Sequence, residues 1–467
     1  MQSAGPLSAQ YRALTIAMVA LAGLAAFESL AVTVTMPIVA RALDGLDLYA
    51  MAFAAPLATS IAGLVAGGGW ADRRGPRAPL FTGIALFVLG VVLAGTAVDM
   101  GVLVAGRAVQ GLGTGLLNVA LYVVVARVFP DAIQARVFAA FAAAWVLPSI
   151  AGPAIAGLIS AQLGWRWVFL SVPVLVVPTV LLLVPALART AGPDRAGSPG
   201  RPGGDDPAAR TPSASAGRDA GRLLRAAGAG AGLIALHLGG QRSGPTGVLL
   251  VVAGLALLAV TIRGLIPAGT LRAARGLPAV VTVRGLISAA FFGAEVYLPL
   301  LFTRERGLSV AQAGLALTAA AITWSTGSWL RGRREGRWDD GTVLRIGSAA
   351  IAAGVGLAVL AIWPAFPIAA SLLGWSVAGF GMGLAFPTLS LLTLRLSAPH
   401  EQGLNTAGLQ VFDACATSAV LALSGPVFVA LLTSGVPVAA YLLCFGLSGL
   451  LALVAVIAAG RVVPVER

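Results

Sequence analysis

Apolar stretches of about twenty residues follow one another along almost the whole chain, separated by short segments whose cations are all arginine. A run of that length crosses a hydrocarbon core of about 30 Å as a helix, and inside a bilayer only a helix or a closed barrel satisfies its own backbone hydrogen bonds. With 58% hydrophobic and 10% charged residues, against about 25% charged in soluble domains, the chain cannot build a water-facing surface. An all-α polytopic membrane protein is therefore predicted. Its formal charge of +13 is spread through the loops rather than gathered on one soluble face, which argues against a nucleic-acid partner. Cys415 and Cys444 both fall in apolar runs, so neither a disulfide framework nor a metal site is expected. The first apolar run is too long for a cleaved signal peptide.

The spans read as 13–40, 48–69, 79–98, 101–127, 134–162 and 165–187, then 226–240 and 246–265, then 277–303, 309–330, 343–363, 366–394, 404–433 and 436–460. This gives two six-helix bundles, 13–187 and 277–460, with two extra central segments within 223–265, about 14 transmembrane helices in all. Residues 188–222, rich in Pro, Gly, Arg, Asp and Ser, are expected to be a flexible linker. Segment 226–240 is short, glycine-rich and carries His237. It reads either as a thin span or as an interfacial piece with 246–265 buried beside it.

Arginine-rich short loops stay on the cytoplasmic side. If the N-terminus is inside, only Arg41, Arg166, Arg242, Arg304 and Arg306 fall outside, Arg107 and Arg284 lie within spans, and every other arginine is cytoplasmic. Both termini and the linker are then cytoplasmic, in an inner (plasma) membrane protein working as a monomer.

Between the second and third spans lies Gly68-Gly69-Trp70-Ala71-Asp72-Arg73-Arg74-Gly75-Pro76-Arg77. Gly68 and Gly75 permit a close helix approach and a tight reversal. Asp72, at a helix end among arginines, is either a conformational latch or a solvated carboxylate worth under about 1 kcal/mol. Gly327-Ser328-Trp329-Leu330-Arg331-Gly332-Arg333-Arg334 is a partial counterpart in the second half. Paired halves are how many secondary transporters are built, with the substrate between them; ordinary arginine collection at a cytoplasmic helix end explains the pair equally well. Gly152-Pro153, with Pro148 before it, predicts a kink in the fifth span. Gly111-Leu112-Gly113-Thr114-Gly115 follows no strand, so it reads as small-residue helix packing rather than a nucleotide loop.

Taken together these motifs resemble the major facilitator superfamily. Gly68, Ala71, Asp72, Arg73 and Gly75 match its signature loop Gly-x-Leu-Ala-Asp-Arg-x-Gly-Arg-Lys, with Trp70 in place of the Leu. Arg107-Ala108-Val109-Gln110-Gly111 is similar to the family's Arg-x-x-Gln-Gly element. Gly152-Pro153-Ala154-Ile155-Ala156-Gly157 resembles the Gly-Pro-x-x-Gly-Gly element of its export branches, with Ala156 departing from it. Trp165-Arg166-Trp167-Val168-Phe169 and Gly381-Met382-Gly383-Leu384-Ala385-Phe386-Pro387 look like elements of the 14-helix drug:proton antiporters. The resemblance implies alternating access, with Gly68, Asp72, Arg73 and Gly75 as the latch.

Of the acids, Glu28, Glu295 and Asp413 alone lie deep in apolar segments. A buried membrane carboxylate is expensive and so a functional candidate. Glu28 is about 15 residues into its span, or ~22 Å deep, and Arg107 lies at about the same depth on the fourth helix. An arginine there would keep Glu28 ionised while desolvation opposes it, which suits a proton carrier; a static structural pair is the competing reading. Glu295 and Asp413 show no partner in the sequence, and Arg284 is expected to sit too near the cytoplasmic end to reach Glu295. Gln110 joins the proposed cavity, with Trp145, Phe291, Phe292, Trp324 and Phe412 as candidate lining groups.

His237 and His400 are far apart, metal-ligand spacings are absent, and without lysine there is no Walker motif. No enzyme activity or cofactor is expected, and an ion gradient, most simply protons, should drive transport. The leading expectation is proton-coupled export of hydrophobic or cationic small molecules. A lipid exporter, a polar-metabolite facilitator or symporter, and a non-transporting membrane sensor remain alternatives.

Overall fold

Backbone polar groups in these apolar stretches find their partners within helices, and no strand occurs among the described residues. The computed structural model describes residues 5–45, 48–190, 212–242, 244–308, 310–333 and 338–462. The first half comprises α1 (Arg12–Ala42), α2 (Tyr49–Arg74), α3 (Arg77–Gly95), α4 (Met100–Val128), α5 (Asp131–Ala143), α6 (Val146–Leu163) and α7 (Arg166–Thr190). Two further helices, α8 (Pro212–Gly240) and α9 (Pro245–Ile262), precede the second half. That half holds α10 (Leu277–Glu295), the single turn α11 (Leu298–Leu300), α12 (Val310–Arg333), α13 (Asp340–Val359), α14 (Ile368–Arg395), α15 (Gln402–Thr433) and α16 (Pro437–Ala459).

Thirteen helical stretches are long and apolar enough to cross a membrane among the described residues. Helix α12 adds a 24-residue helix whose Ser, Thr and Gly content lowers its hydropathy; it packs against α14 and α5. The architecture is the all-α, 12-to-14-helix bundle expected.

Three details differ from the expectation. The fifth span is two helices, interrupted at Ala144 and Trp145. Pro148 explains the position: it has no N–H for the Ala144 carbonyl, four residues back. Of the expected kink residues, Pro148 thus lies one turn past an interruption, while α6 continues through Gly152 and Pro153, with Gly152 buried beside Phe27 of α1. The span 277–303 is likewise broken after Glu295, where Pro299 cannot donate to the Glu295 carbonyl, and it resumes as α11 and a π-helical turn, Leu301–Glu305. Finally, α8 begins at Pro212, inside the stretch expected to be linker; residues 191–211 lie outside the described residues.

Each half has its own apolar core, one built mainly from α1–α5 and α7 and the other from α10–α16. A third apolar cluster forms where α2, α4 and α15 meet α8 and α9. Segment 226–240 is thus part of a full helix, and the two additional helices cover the α2–α15 seam between the halves. Helix α4 is wedged between α2 and α3 through its small residues: Gly111 and Gly115 face the backbone of α2, Gly113 that of α3.

Candidate functional site

The charged groups inside the bundle fall into three settings. In the first half Glu28 and Arg107 are 3% and 6% exposed. Arg107 Nη1 donates to Glu28 Oε1 at 2.5 Å and to Gln110 Oε1 at 2.8 Å, while Nε donates to the Ala52 carbonyl at 3.2 Å. One guanidinium therefore ties α1, α2 and its own helix together. The matching depth of Glu28 and Arg107 inferred from span lengths is what allows this pair. Removing either member would strand the other as a buried charge, a cost of about 3–5 kcal/mol.

In the second half the acid without a visible partner has one. Arg284, 2% exposed, donates through Nε to Asp413 Oδ2 at 3.0 Å, and through Nη1 to Ser390 Oγ at 3.2 Å and the Phe386 carbonyl at 3.3 Å. Its guanidinium also stacks on the Phe386 ring. Sequence spacing relates Arg284 only to Glu295 on its own helix, whereas the partner comes from α15. Gly285, next to Arg284, has Phe412 packed where a side chain would be, and this close approach delivers Asp413. Ser390 also lies 3.3 Å from Tyr122 Oη on α4, so the pair is linked to the opposite half.

Glu295 is the third setting. It ends α10, and no hydrogen bond or ion pair reaches it among the described residues. One turn back on the same helix are Phe291 and Phe292. Phe291 lies 5.6 Å from Trp324 and is stacked on Trp375 at 4.7 Å; Trp324 lies 5.3 Å from Phe386. The buried indole N–H of Trp324 has no acceptor among the described residues. Of the expected lining aromatics, Phe291, Phe292 and Trp324 therefore come together. Phe412 packs on Gly285 instead, and Trp145, at the α5–α6 break, is half exposed and outside the group.

The arginine-rich face holds the two halves together. Asp72 accepts the backbone N–H of Gly403 at 2.7 Å and of Leu404 at 2.8 Å. These are first-turn amides of α15, so the carboxylate sits at the positive end of that helix dipole, whereas the negative end of its own helix repels it. Sequence patterning pointed to a latch among arginines; the partner is backbone, which no side-chain pattern reveals. A Cβ on Gly68 would come within 2.5 Å of the Gly403 carbonyl oxygen, so the glycine sets the helix spacing. Gly75, at φ 82°, makes the reversal into α3. Arg73 folds back beside Gly69, and Arg127 donates to the Ala71 carbonyl at 3.1 Å.

A second clamp lies between α5 and α12, where Arg136 of α5 donates to the Gly332 carbonyl at the end of α12 at 3.3 Å. The counterpart of Asp72, Arg331, does not cross between the halves. It is buried and pairs with Asp340 of α13 and Thr388 of α14.

Two helix bundles, clamped at one face and carrying buried ion pairs inside, match a known architecture. The family model described as Major Facilitator Superfamily matches residues 17–419. The chain belongs to the major facilitator superfamily. A probable multidrug-efflux transporter of Mycobacterium tuberculosis is 27% identical over 347 residues, covering 73% of this chain and 71% of that protein. Multidrug resistance protein 3 of Bacillus subtilis is 28% identical over 152 residues, 32% of this chain and 30% of that one. Among solved structures, the human organic anion transporter MFSD10 (TETRAN) superposes with a TM-score of 0.67 at 15% identity, covering 96% of this chain and 99% of that chain. The proton:xylose symporter XylE gives 0.66 at 16% identity, covering 97% and 95%. These likenesses establish the fold. The protein is a multi-pass membrane transporter of this superfamily, not an enzyme.

Proposed function

We propose that this major facilitator transporter exports hydrophobic or cationic small molecules in exchange for protons, by alternating access between its two halves. The observation that carries the proposal is the sealed Glu28–Arg107–Gln110 group. Protonating Glu28 removes the negative charge that pairs with the Arg107 guanidinium, so its protonation is coupled to a rearrangement that ties or frees α1, α2 and α4. Glu295, beside Phe291, Phe292 and Trp324, supplies an acid and an aromatic wall, the combination that attracts an apolar cation. The multidrug-efflux relatives support the same substrate class.

In this reading the arginine-rich face is cytoplasmic, both termini lie there, the membrane is the cell's inner (plasma) membrane, and the driving ion is the proton with no bound cofactor. The Asp72 and Arg136 clamps then close the cytoplasmic side in the arrangement described. The test is a proteoliposome assay in which a lipophilic cation added on one side drives proton movement, read by a pH dye inside. Cation-dependent proton flux in the opposite direction is expected. Cation uptake with no proton movement would remove proton coupling from the function.

A further inference from the structure

At the arginine-rich face, beside the Asp72 clamp but separate from the buried pairs, the structure contains a cavity of about 440 Å³ between α2, α8 and α15. Three guanidinium-bearing residues line it: Arg73 and Arg74 from the last turn of α2, and Arg222 from α8. Trp70 also lines it, and Val65, Leu223 and Leu404 provide apolar wall. No acid is among the described residues that line it. We infer that this cavity is a binding site for the phosphate of an anionic phospholipid from the adjoining leaflet.

Several features of the cavity favour that ligand chemistry. Guanidinium groups are matched to phosphate oxygens, which they bind in pairs of parallel hydrogen bonds. The arginines sit where α2 and α8 leave the apolar span, since the α8 span begins at Ala220 and the α2 span ends at Arg74, which is headgroup level. Trp70 stands at that same level, where indole rings settle. The apolar wall continues inward through Val65, giving an acyl chain a surface that a free ion would not use. Basic pockets between membrane helices on this side are where anionic headgroups bind.

The cavity draws together features that the transport reading leaves unused. Trp70 stands where the family signature has Leu, and Arg222 and Leu223 belong to one of the two additional helices. Leu404 contributes from α15, and its own N–H is one of the two held by Asp72. A ligand touching α2, α8 and α15 together has its full site only while α15 is clamped to α2. By linkage, occupancy favours the clamped arrangement, and release of α15 weakens binding by the same factor.

The experiment uses the full-length protein in detergent, with hydrogen exchange read at the peptide containing Gly403 and Leu404 and thermal melting read in parallel. The probes are dioleoyl phosphatidylglycerol, dioleoyl phosphatidylcholine and inorganic phosphate. Phosphatidylglycerol should slow exchange at Gly403 and Leu404 by about fivefold or more and raise the melting temperature. Phosphatidylcholine and inorganic phosphate should do neither. The response should survive Arg345→Gln, a basic residue of α13 outside the cavity, and vanish in Arg74→Gln/Arg222→Gln. Leu223→Glu, which places a carboxylate in the cavity without altering α2, should also abolish it, so the inference does not depend on the double variant folding. A full response to inorganic phosphate would make the free ion the ligand and overturn the phospholipid assignment. An equal response to phosphatidylcholine, or an undiminished phosphatidylglycerol response in Leu223→Glu or the double variant, would overturn it.

Discussion

Replacing Asp72 by Asn should release α15 from α2 without disturbing either helix. In the clamp each carboxylate oxygen accepts one amide, from Gly403 at 2.7 Å and Leu404 at 2.8 Å. Asparagine keeps the shape and one acceptor, but sets an NH2 group against the second amide and removes the charge facing the α15 N-terminus. A hydrogen bond to a charged group contributes ~1.5–3 kcal/mol. Asp72 is only partly buried, so the lower part of that range applies, about 1.5–2 kcal/mol. That corresponds to a roughly 10- to 30-fold shift of the clamped-to-released ratio. Gly68→Ala attacks the same contact sterically, since its Cβ would meet the Gly403 carbonyl at 2.5 Å. Both variants should be followed by spin-label distances between cysteines placed at the exposed positions Ala78 and Pro399; Cys415 and Cys444 are buried and should not label. A longer distance component should grow in both variants, with slower transport. An unchanged distance distribution in Asp72→Asn would refute the clamp and return Asp72 to the class of solvated loop carboxylates.

Asp413→Leu should lower stability by about 3 kcal/mol by stranding the Arg284 guanidinium, and Arg284→Met/Asp413→Leu should recover much of the loss; thermal melts in detergent decide, and a single variant as stable as the parent would contradict the pair. Glu295→Gln should reduce transport of a lipophilic cation by about tenfold, equivalent to ~1.4 kcal/mol of lost attraction, while sparing a neutral apolar compound; equal losses would place Glu295 outside substrate recognition. A cysteine at position 198 should react with a membrane-impermeant maleimide only in inside-out vesicles, and labelling in intact cells would reverse the orientation drawn from the arginine bias.

The parts of this fold that could be read from the chain are those that a bilayer enforces. Apolar run lengths gave the helices, and the scarcity of membrane-embedded acids singled out Glu28, Glu295 and Asp413. Glu28 and Arg107 could be matched because two antiparallel spans of known length fix relative depth. The Arg284–Asp413 pair could not, because the contact depends on α15 closing over Gly285, which span lengths do not show. Side-chain patterns were equally silent about the Asp72 clamp, whose partners are two amides carrying no residue signature. Pro148, expected with Gly152-Pro153 to bend the fifth span, marks a real helix interruption, as does Pro299, whose span 277–303 was expected to run unbroken. Arg331 looked like a diverged copy of Asp72, but it serves a different purpose, bracing α12 to α13 and α14 within its own half.

Proton coupling through Glu28 is settled by reconstituting Glu28→Gln beside the parent protein and recording cation-driven proton flux and cation counterflow in the same proteoliposomes. Glutamine keeps the size of the side chain and an acceptor for Arg107 Nη1, so the bundle should fold and exchange substrate across the membrane. Counterflow should persist while proton flux falls to the level of protein-free liposomes. Proton flux in Glu28→Gln equal to that of the parent would show that the proton travels by another group, with Asp413 and Glu295 the next carboxylates to neutralise.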